Sequence, residues 1–473
     1  MSLSRTRALS LTLVAAIALG GCSTIRGLGD RLNPFNDEEE AANEAVATEG
    51  QRISIIAFDP KVEPAEALKG QDFFLPPAAA MAEWPLPGGT PEQSVEHVAA
   101  AQNLSVAWRR GFGQGSGREE HVIAPPVMAN GRVFVMDGGS TVSAVDASSG
   151  QTVWRTELPA RYRRDRHAFG GGIAYADGKL YVSSGNRYVA QLDPATGAIG
   201  WRRDTASPIH AAPTVSEGRV FVVSTDNELL AFNAATGAED WNYQALVEPA
   251  RLLRASSPAV TGDTLVAGFA SGEVIAFRAA NGNDLWNQAL SRASRTNALS
   301  EIRDIAGRPV IYKGDVFAGS HSGVFAAIDM RTGTSRWTLP VASITTPWPA
   351  GDVVFLTSHA GEVIAASRES GQVYWMRDLN EGYRERAEGD GFGIGSFRIG
   401  GRSASIRPLW TGPVLASDRL IVASSLGELV ALNPKTGERL HTMDLGSAVL
   451  INPIAANGTL YIVTDEAELI ALR

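Results

Sequence analysis

A single cysteine, Cys22, occurs in the 473 residues, so no intrachain disulfide can form. Sustained helical periodicity is also missing beyond the N-terminal leader. The seven histidines (His97, His121, His167, His210, His321, His359 and His441) make no HExxH or HxxxH pair, and no cysteine partner exists for a zinc site. Neither GxSxG nor a phosphate-binding GxxxxGKS or GxxxxGKT is present, which removes the common signatures of a serine hydrolase and a P-loop nucleotide site. Positive charge is the minority: 42 Lys and Arg stand against 51 Asp and Glu, for a net charge of −9. A general nucleic-acid binder needs a basic face to displace counterions, so that class is excluded.

What is present begins with an address. Arg5 and Arg7 precede an apolar run from Ala8 to Leu19, too short for a spanning helix and ending in small residues. Leu19–Gly20–Gly21–Cys22 resembles a bacterial lipobox, whose cysteine is acylated and becomes the mature N-terminus. Residues 1–21 are therefore expected to be a lipoprotein signal peptide and Cys22 the lipid attachment site. Ser23, rather than Asp, follows the cysteine, which by the same resemblance favours the outer membrane, facing the periplasm. Residues 22–103 are expected to be a tether and an extended N-terminal segment. The acidic run Asn36 to Glu44 cannot bury enough surface to fold alone, Arg52 to Phe58 reads as an extra docked strand, and the Pro- and Ala-rich residues 60–100 read as chain lying on the globular body.

The remainder repeats one phrase. DASSGQTVW (Asp146 to Trp154) returns as DPATGAIGW (Asp193 to Trp201), NAATGAEDW (Asn233 to Trp241) and DMRTGTSRW (Asp329 to Trp337). Its glycines (Gly150, Gly197, Gly237, Gly282, Gly333, Gly371 and Gly437) recur mostly every ~40–50 residues, the length of a four-stranded propeller blade. Four residues after the first six stand Trp154, Trp201, Trp241, Trp286, Trp337 and Trp375; the seventh has His441. Asp or Asn four residues before the glycine can bond the turn backbone, glycine supplies a positive φ, and tryptophan buries a large ring between blades. Short runs such as GRVFVM and TVSAVD, separated by Gly, Asn and Asp, read as antiparallel strands joined by hairpins.

Seven phrases give seven blades, and residues after 450 supply only three further strands. Leu104 to Gly111, with Trp108, offers the missing one. The expectation is an all-β, eight-bladed propeller of four-stranded antiparallel blades over residues 104–473, its last blade closed by an N-terminal strand. In such a ring the phrase turns and first hairpins open on one face, and the inter-blade connections and middle hairpins on the other. The phrase turns are uniformly short. The connections 159–172, 245–256, 288–308 and 379–408 are long, irregular and rich in arginine, so function is expected on that face. Leu252 and Leu253, flanked by Arg251 and Arg254, suit the centre of a protein–protein contact. His321 and His359 occupy corresponding hairpin turns of adjacent blades and form a candidate shared site.

The phrase D-x-x-T-G-x-x-x-W resembles the repeat of PQQ-like propellers. Together with the lipobox and eight blades, the segments RLLRASSPAVTGDTLVAGFASGEV and LSEIRDIAGRPVIYKGDVFAGSHSGVFAAIDMRTG are similar to the BamB family, lipoprotein subunits of the outer-membrane β-barrel assembly machinery. The resemblance covers residues 104–473. It implies a non-catalytic scaffold, without cofactor, metal or small-molecule substrate, that binds the periplasmic POTRA domains of a BamA-type barrel subunit and also contacts nascent outer-membrane proteins. Carried onto this chain, the partner-binding positions are Leu252, Leu253, Arg254 and Asp304. Ala306 stands where the family has a second acid, and the leucine loop is one residue shorter before Pro258.

Two other classes share parts of the pattern. A PQQ-dependent dehydrogenase has the repeat, but usually also a vicinal disulfide that a chain with Cys22 alone cannot make. An envelope polysaccharide-binding propeller would expose aromatics on one face. Trp348 and Trp410 lie outside the phrase, but read as first-strand positions near the axis.

Overall fold

The runs VFVM (133–136) and VSAV (142–145) are buried on both sides of the sheet, because each blade is sandwiched between two others. Period-two alternation is therefore confined to the outermost strands, where Thr152–Glu157 keeps Trp154 half-buried among exposed residues. The computed structural model describes residues 62–160, 168–248, 252, 256–291, 302–381, 383 and 407–473. The expected signal peptide (residues 1–21), Cys22, the expected tether up to residue 61 with its strand at 52–58, and Leu253 and Arg254 lie outside these residues, as does most of the 379–408 insertion.

Eight four-stranded antiparallel sheets form the ring. Seven are consecutive in sequence, blades 1 to 7, beginning at Val127, Gly171, Thr214, Ala259, Val310, Trp348 and Trp410. The eighth takes Ile454–Ala456, Thr459–Val463 and Glu468–Leu472 from the C-terminus, and its outer strand Val106–Gly111 from the N-terminal side. Trp108 pairs with Ala471, and Ser105 and Arg473 exchange backbone hydrogen bonds of 3.0 and 2.9 Å. The N-terminal strand pairs the otherwise open edge of Glu468–Leu472 and ties the two ends of the ring together.

The repeated phrase works between blades as well as within them. The Oδ1 of Asp146 accepts the N–H groups of Ser148 and Ser149 at 3.1 and 2.9 Å. With the Ser148 hydroxyl as the leading cause, these bonds hold the Asp146 carboxyl down at about 2. Gly150 follows at φ 71°, and a Cβ there would lie 2.7 Å from the ring of Trp108, which belongs to the preceding blade. The same close approach joins Trp154, Trp201, Trp241, Trp286, Trp337 and Trp375 to the phrase glycine of the next blade. Each indole N–H then donates to a turn carbonyl on that blade: Trp108 to Ala147, Trp154 to Pro194, Trp201 to Ala234, Trp241 to Ala279, Trp286 to Met330, Trp337 to Arg368 and Trp375 to Pro434. Within its own blade most of these rings face an alanine beside a β-bulge, as Trp241 faces Ala231.

Two departures from the phrase are explained by this geometry. Arg278 replaces the turn acid in blade 4, and Asp263 on the neighbouring hairpin takes over. One Asp263 oxygen accepts the Ala280 N–H at 3.1 Å and the other pairs with Arg278 at 2.9 Å. His441 replaces tryptophan in blade 7 because the following blade has no phrase turn. Ser105 and Arg473 meet at the place where the turn would be, so no glycine is there to receive a ring.

Residues 76–104 run as a strap over the inner strands on the phrase-turn face. Trp84 exchanges backbone hydrogen bonds with Met128 of blade 1, Pro85 O accepts the Tyr175 N–H of blade 2, and the Val98 N–H reaches Leu415 O of blade 7. Asn457 of blade 8 donates to Met81 O. The Trp84 ring is fully buried and stacks on Trp348 of blade 6 at 6.3 Å, while the Trp348 Nε1–H donates to Glu96 O. Trp348 and Trp410 are both buried, so neither supplies an exposed aromatic platform.

Candidate interaction face

The opposite face collects the inter-blade connections. The connection from blade 3 to blade 4 leaves the outer strand Glu239–Gln244 and is held at its start by Asn227. Buried Asn227 adopts φ 60°, donates to Leu246 O and accepts the Ala270 N–H of blade 4 at 3.1 Å. Leu246 and Val247, next in the chain, are each 66% exposed. A pair of aliphatic side chains presented to solvent from a pinned backbone is an arrangement suited to a partner contact. Sequence reasoning passed over this pair. Its signal was the stretch ALVEPA, apolar where the strand pattern has already ended.

Leu252 is half-buried, and its backbone N–H donates to Asp304 Oδ2 at 3.0 Å. Asp304 is only 3% exposed. The buried carboxylate thus ties the Leu252 backbone to the connection between blades 4 and 5. Asp304 O also accepts the His321 N–H at 3.0 Å, tying in the middle hairpin of blade 5. Ala306 is buried in the same connection.

The two histidines do meet. The His321 and His359 rings lie 5.4 Å apart, edge to face, and His321 Nδ1 is 3.3 Å from Ile302 O. Burial, and then the neighbouring His321, push the His359 pKa below the usual histidine value. The edge-to-face contact joins the middle hairpins of blades 5 and 6; among the described residues there is no group of three or more His, Cys, Asp or Glu that could hold a metal ion.

At the axis of this face is a pit of about 60 Å³ whose lining includes His210, Ser257, Arg308, Thr345, Thr346 and Asn452. A three-ring quinone with its calcium ion needs a recess of roughly 300 Å³ or more, and carboxylate oxygens for the metal. The described lining of the pit has no carboxylate. The residues present do not fit that group.

Fold and face together define a class: a PQQ-like eight-bladed propeller whose irregular sequence is concentrated on one loop face. The sequence profile of the family described as outer membrane protein assembly factor BamB matches residues 92–165, 139–377 and 394–473, and the chain belongs to that family. Outer membrane protein assembly factor BamB of Yersinia pestis is 25% identical over 346 residues, covering 68% of this chain and 87% of its own length. The protein of the same name from Escherichia coli K12 is 24% identical over 402 residues, covering 76% and 86%. Among solved structures, BamB from Moraxella catarrhalis superposes with a TM-score of 0.63 at 20% identity, covering 78% of this chain and 99% of that one. The quinohemoprotein alcohol dehydrogenase from Comamonas testosteroni gives 0.60 at 14% identity, covering 83% and 81%, a likeness of fold alone.

Proposed function

We propose that the chain is a non-catalytic scaffold of the outer-membrane protein assembly machinery. It docks through its loop face on the periplasmic POTRA domains of a BamA-type barrel subunit and assists the folding and insertion of outer-membrane proteins. Family membership supports the role. The single observation that favours this face is the pair Leu246 and Val247, exposed in the same connection whose Leu252 N–H is held by Asp304. Leu252, Leu253 and Arg254 supply apolar and cationic contact, and Asp304 acts by holding the loop. The same reading makes residues 1–21 a signal peptide, Cys22 the acylated anchor in the outer membrane, residues 22–103 the tether with its extended segment, and residues 104–473 the docking propeller.

Purification of tagged protein from detergent-solubilised membranes, followed by mass spectrometry, tests the role. Barrel-assembly subunits are expected as stoichiometric companions. Their absence, together with quinone in the purified protein, would replace the scaffold by an enzyme.

A further inference from the structure

The strap of residues 76–104 does more than cover the phrase-turn face. Its tip, Pro91 to Gln93, enters between blades 3, 4 and 5. Pro91 O accepts the Val260 N–H at 2.8 Å and Glu92 O accepts the Ile311 N–H at 2.9 Å. Val260 lies in the inner strand of blade 4, Ala259–Thr261, and Ile311 in that of blade 5, Val310–Tyr312. These two strands directly follow the connections that carry Leu252 and Asp304. The Gln93 Nε2–H group donates to Pro258 O at 3.0 Å and to Thr214 Oγ1 of blade 3 at 3.1 Å, and Thr214 Oγ1–H itself donates to Pro258 O at 2.6 Å. From Pro258 the path is short. Ser256 Oγ–H donates to Gly307 O at 3.1 Å, three residues from Asp304, whose carboxylate receives the Leu252 N–H.

Gln93 is held in this position against local preference. It is 4% exposed and adopts φ 61°, a left-handed conformation that non-glycine residues rarely take unless the surroundings impose it. Gly88 permits the approach, since a Cβ there would lie 2.6 Å from Gln93 Cα.

We propose that Gln93 is a positioning residue for the partner-binding loops: through Pro258 it sets the roots of the 245–256 and 302–308 connections from the opposite face of the propeller. This inference rests on the loop-face reading given above. The strap therefore couples the N-terminal segment mechanically to the docking surface, through the inner strands of blades 4 and 5.

The experiment uses the full chain with Gln93→Met, which keeps the length of the side chain and removes its donor. His97→Ala serves as the comparison. Buried His97 holds the strap at its other end, where Nε2 accepts the Asp418 N–H at 2.9 Å and Nδ1 bonds Pro76 O at 2.8 Å. Amide hydrogen exchange is read at residues 256–261 and 302–311, alongside the urea midpoint and the affinity for purified POTRA domains. In Gln93→Met, exchange at those two segments is expected to rise about tenfold and affinity to fall about three- to tenfold, with a urea midpoint like that of His97→Ala. His97→Ala is expected to leave exchange at both segments unchanged. Equal exchange in wild type and Gln93→Met overturns the positioning role, as does a uniform rise across all blades. If the segments loosen selectively while wild type itself binds no POTRA domain, the loop-face reading fails and the mechanical coupling stands.

Discussion

Gly237→Ala is expected to cost roughly 3–4 kcal/mol in urea unfolding, and Gly262→Ala only about 1 kcal/mol. Both glycines have positive φ, 69° and 50°, so both substitutions carry the left-handed backbone penalty. Only Gly237 has a neighbour in the way. A Cβ there lies 2.6 Å from the Trp201 ring of the preceding blade, whereas nothing stands within 4 Å at Gly262. Trp201 cannot simply withdraw, because its ring is half-buried between blades and its Nε1–H donates to Ala234 O at 3.0 Å. The difference between the two variants isolates the inter-blade contact from the backbone term. Equal costs would mean that the phrase glycine is needed only for its turn.

Leu252→Glu combined with Leu253→Glu is expected to weaken binding to the POTRA domains about hundredfold, or ~2.7 kcal/mol, with the urea midpoint nearly unchanged. The physical reason is desolvation: an apolar pair at the centre of a contact loses its burial, and two carboxylates must shed water against the partner. Ala235→Glu supplies the control. Ala235 is exposed on the phrase-turn face, opposite the proposed contact, and a charge there leaves the affinity unaltered. Isothermal titration calorimetry on purified components reads both.

The architecture was legible because blade and phrase have the same period, so counting phrases counted blades. Trp108 could be assigned to the last blade by the deficit of one strand. The partnership of each tryptophan with the next blade's glycine was not legible, since that contact joins residues about 40 positions apart and periodicity shows only what repeats. His441 read as an irregularity for the same reason; it becomes necessary once the Ser105–Arg473 junction is seen. On the loop face, sequence could name Leu252 and Asp304 but not their relation. The resemblance carries Asp304 over as a partner-binding acid, and the fold buries it with its carboxylate on the Leu252 N–H. Gln93 carried no signal at all: the acceptors of its side-chain N–H group, Thr214 Oγ1 and Pro258 O, lie more than a hundred residues away.

The most direct measurement is position-resolved cross-linking in living cells, with a photoreactive amino acid placed at Leu246 on the loop face or at Ala235 on the phrase-turn face. Cross-links from position 246 to the periplasmic domains of the barrel subunit, with none from position 235, are the expected result. Cross-links from 235 alone, or from neither while the barrel subunit still copurifies, would contradict the assignment of the docking face.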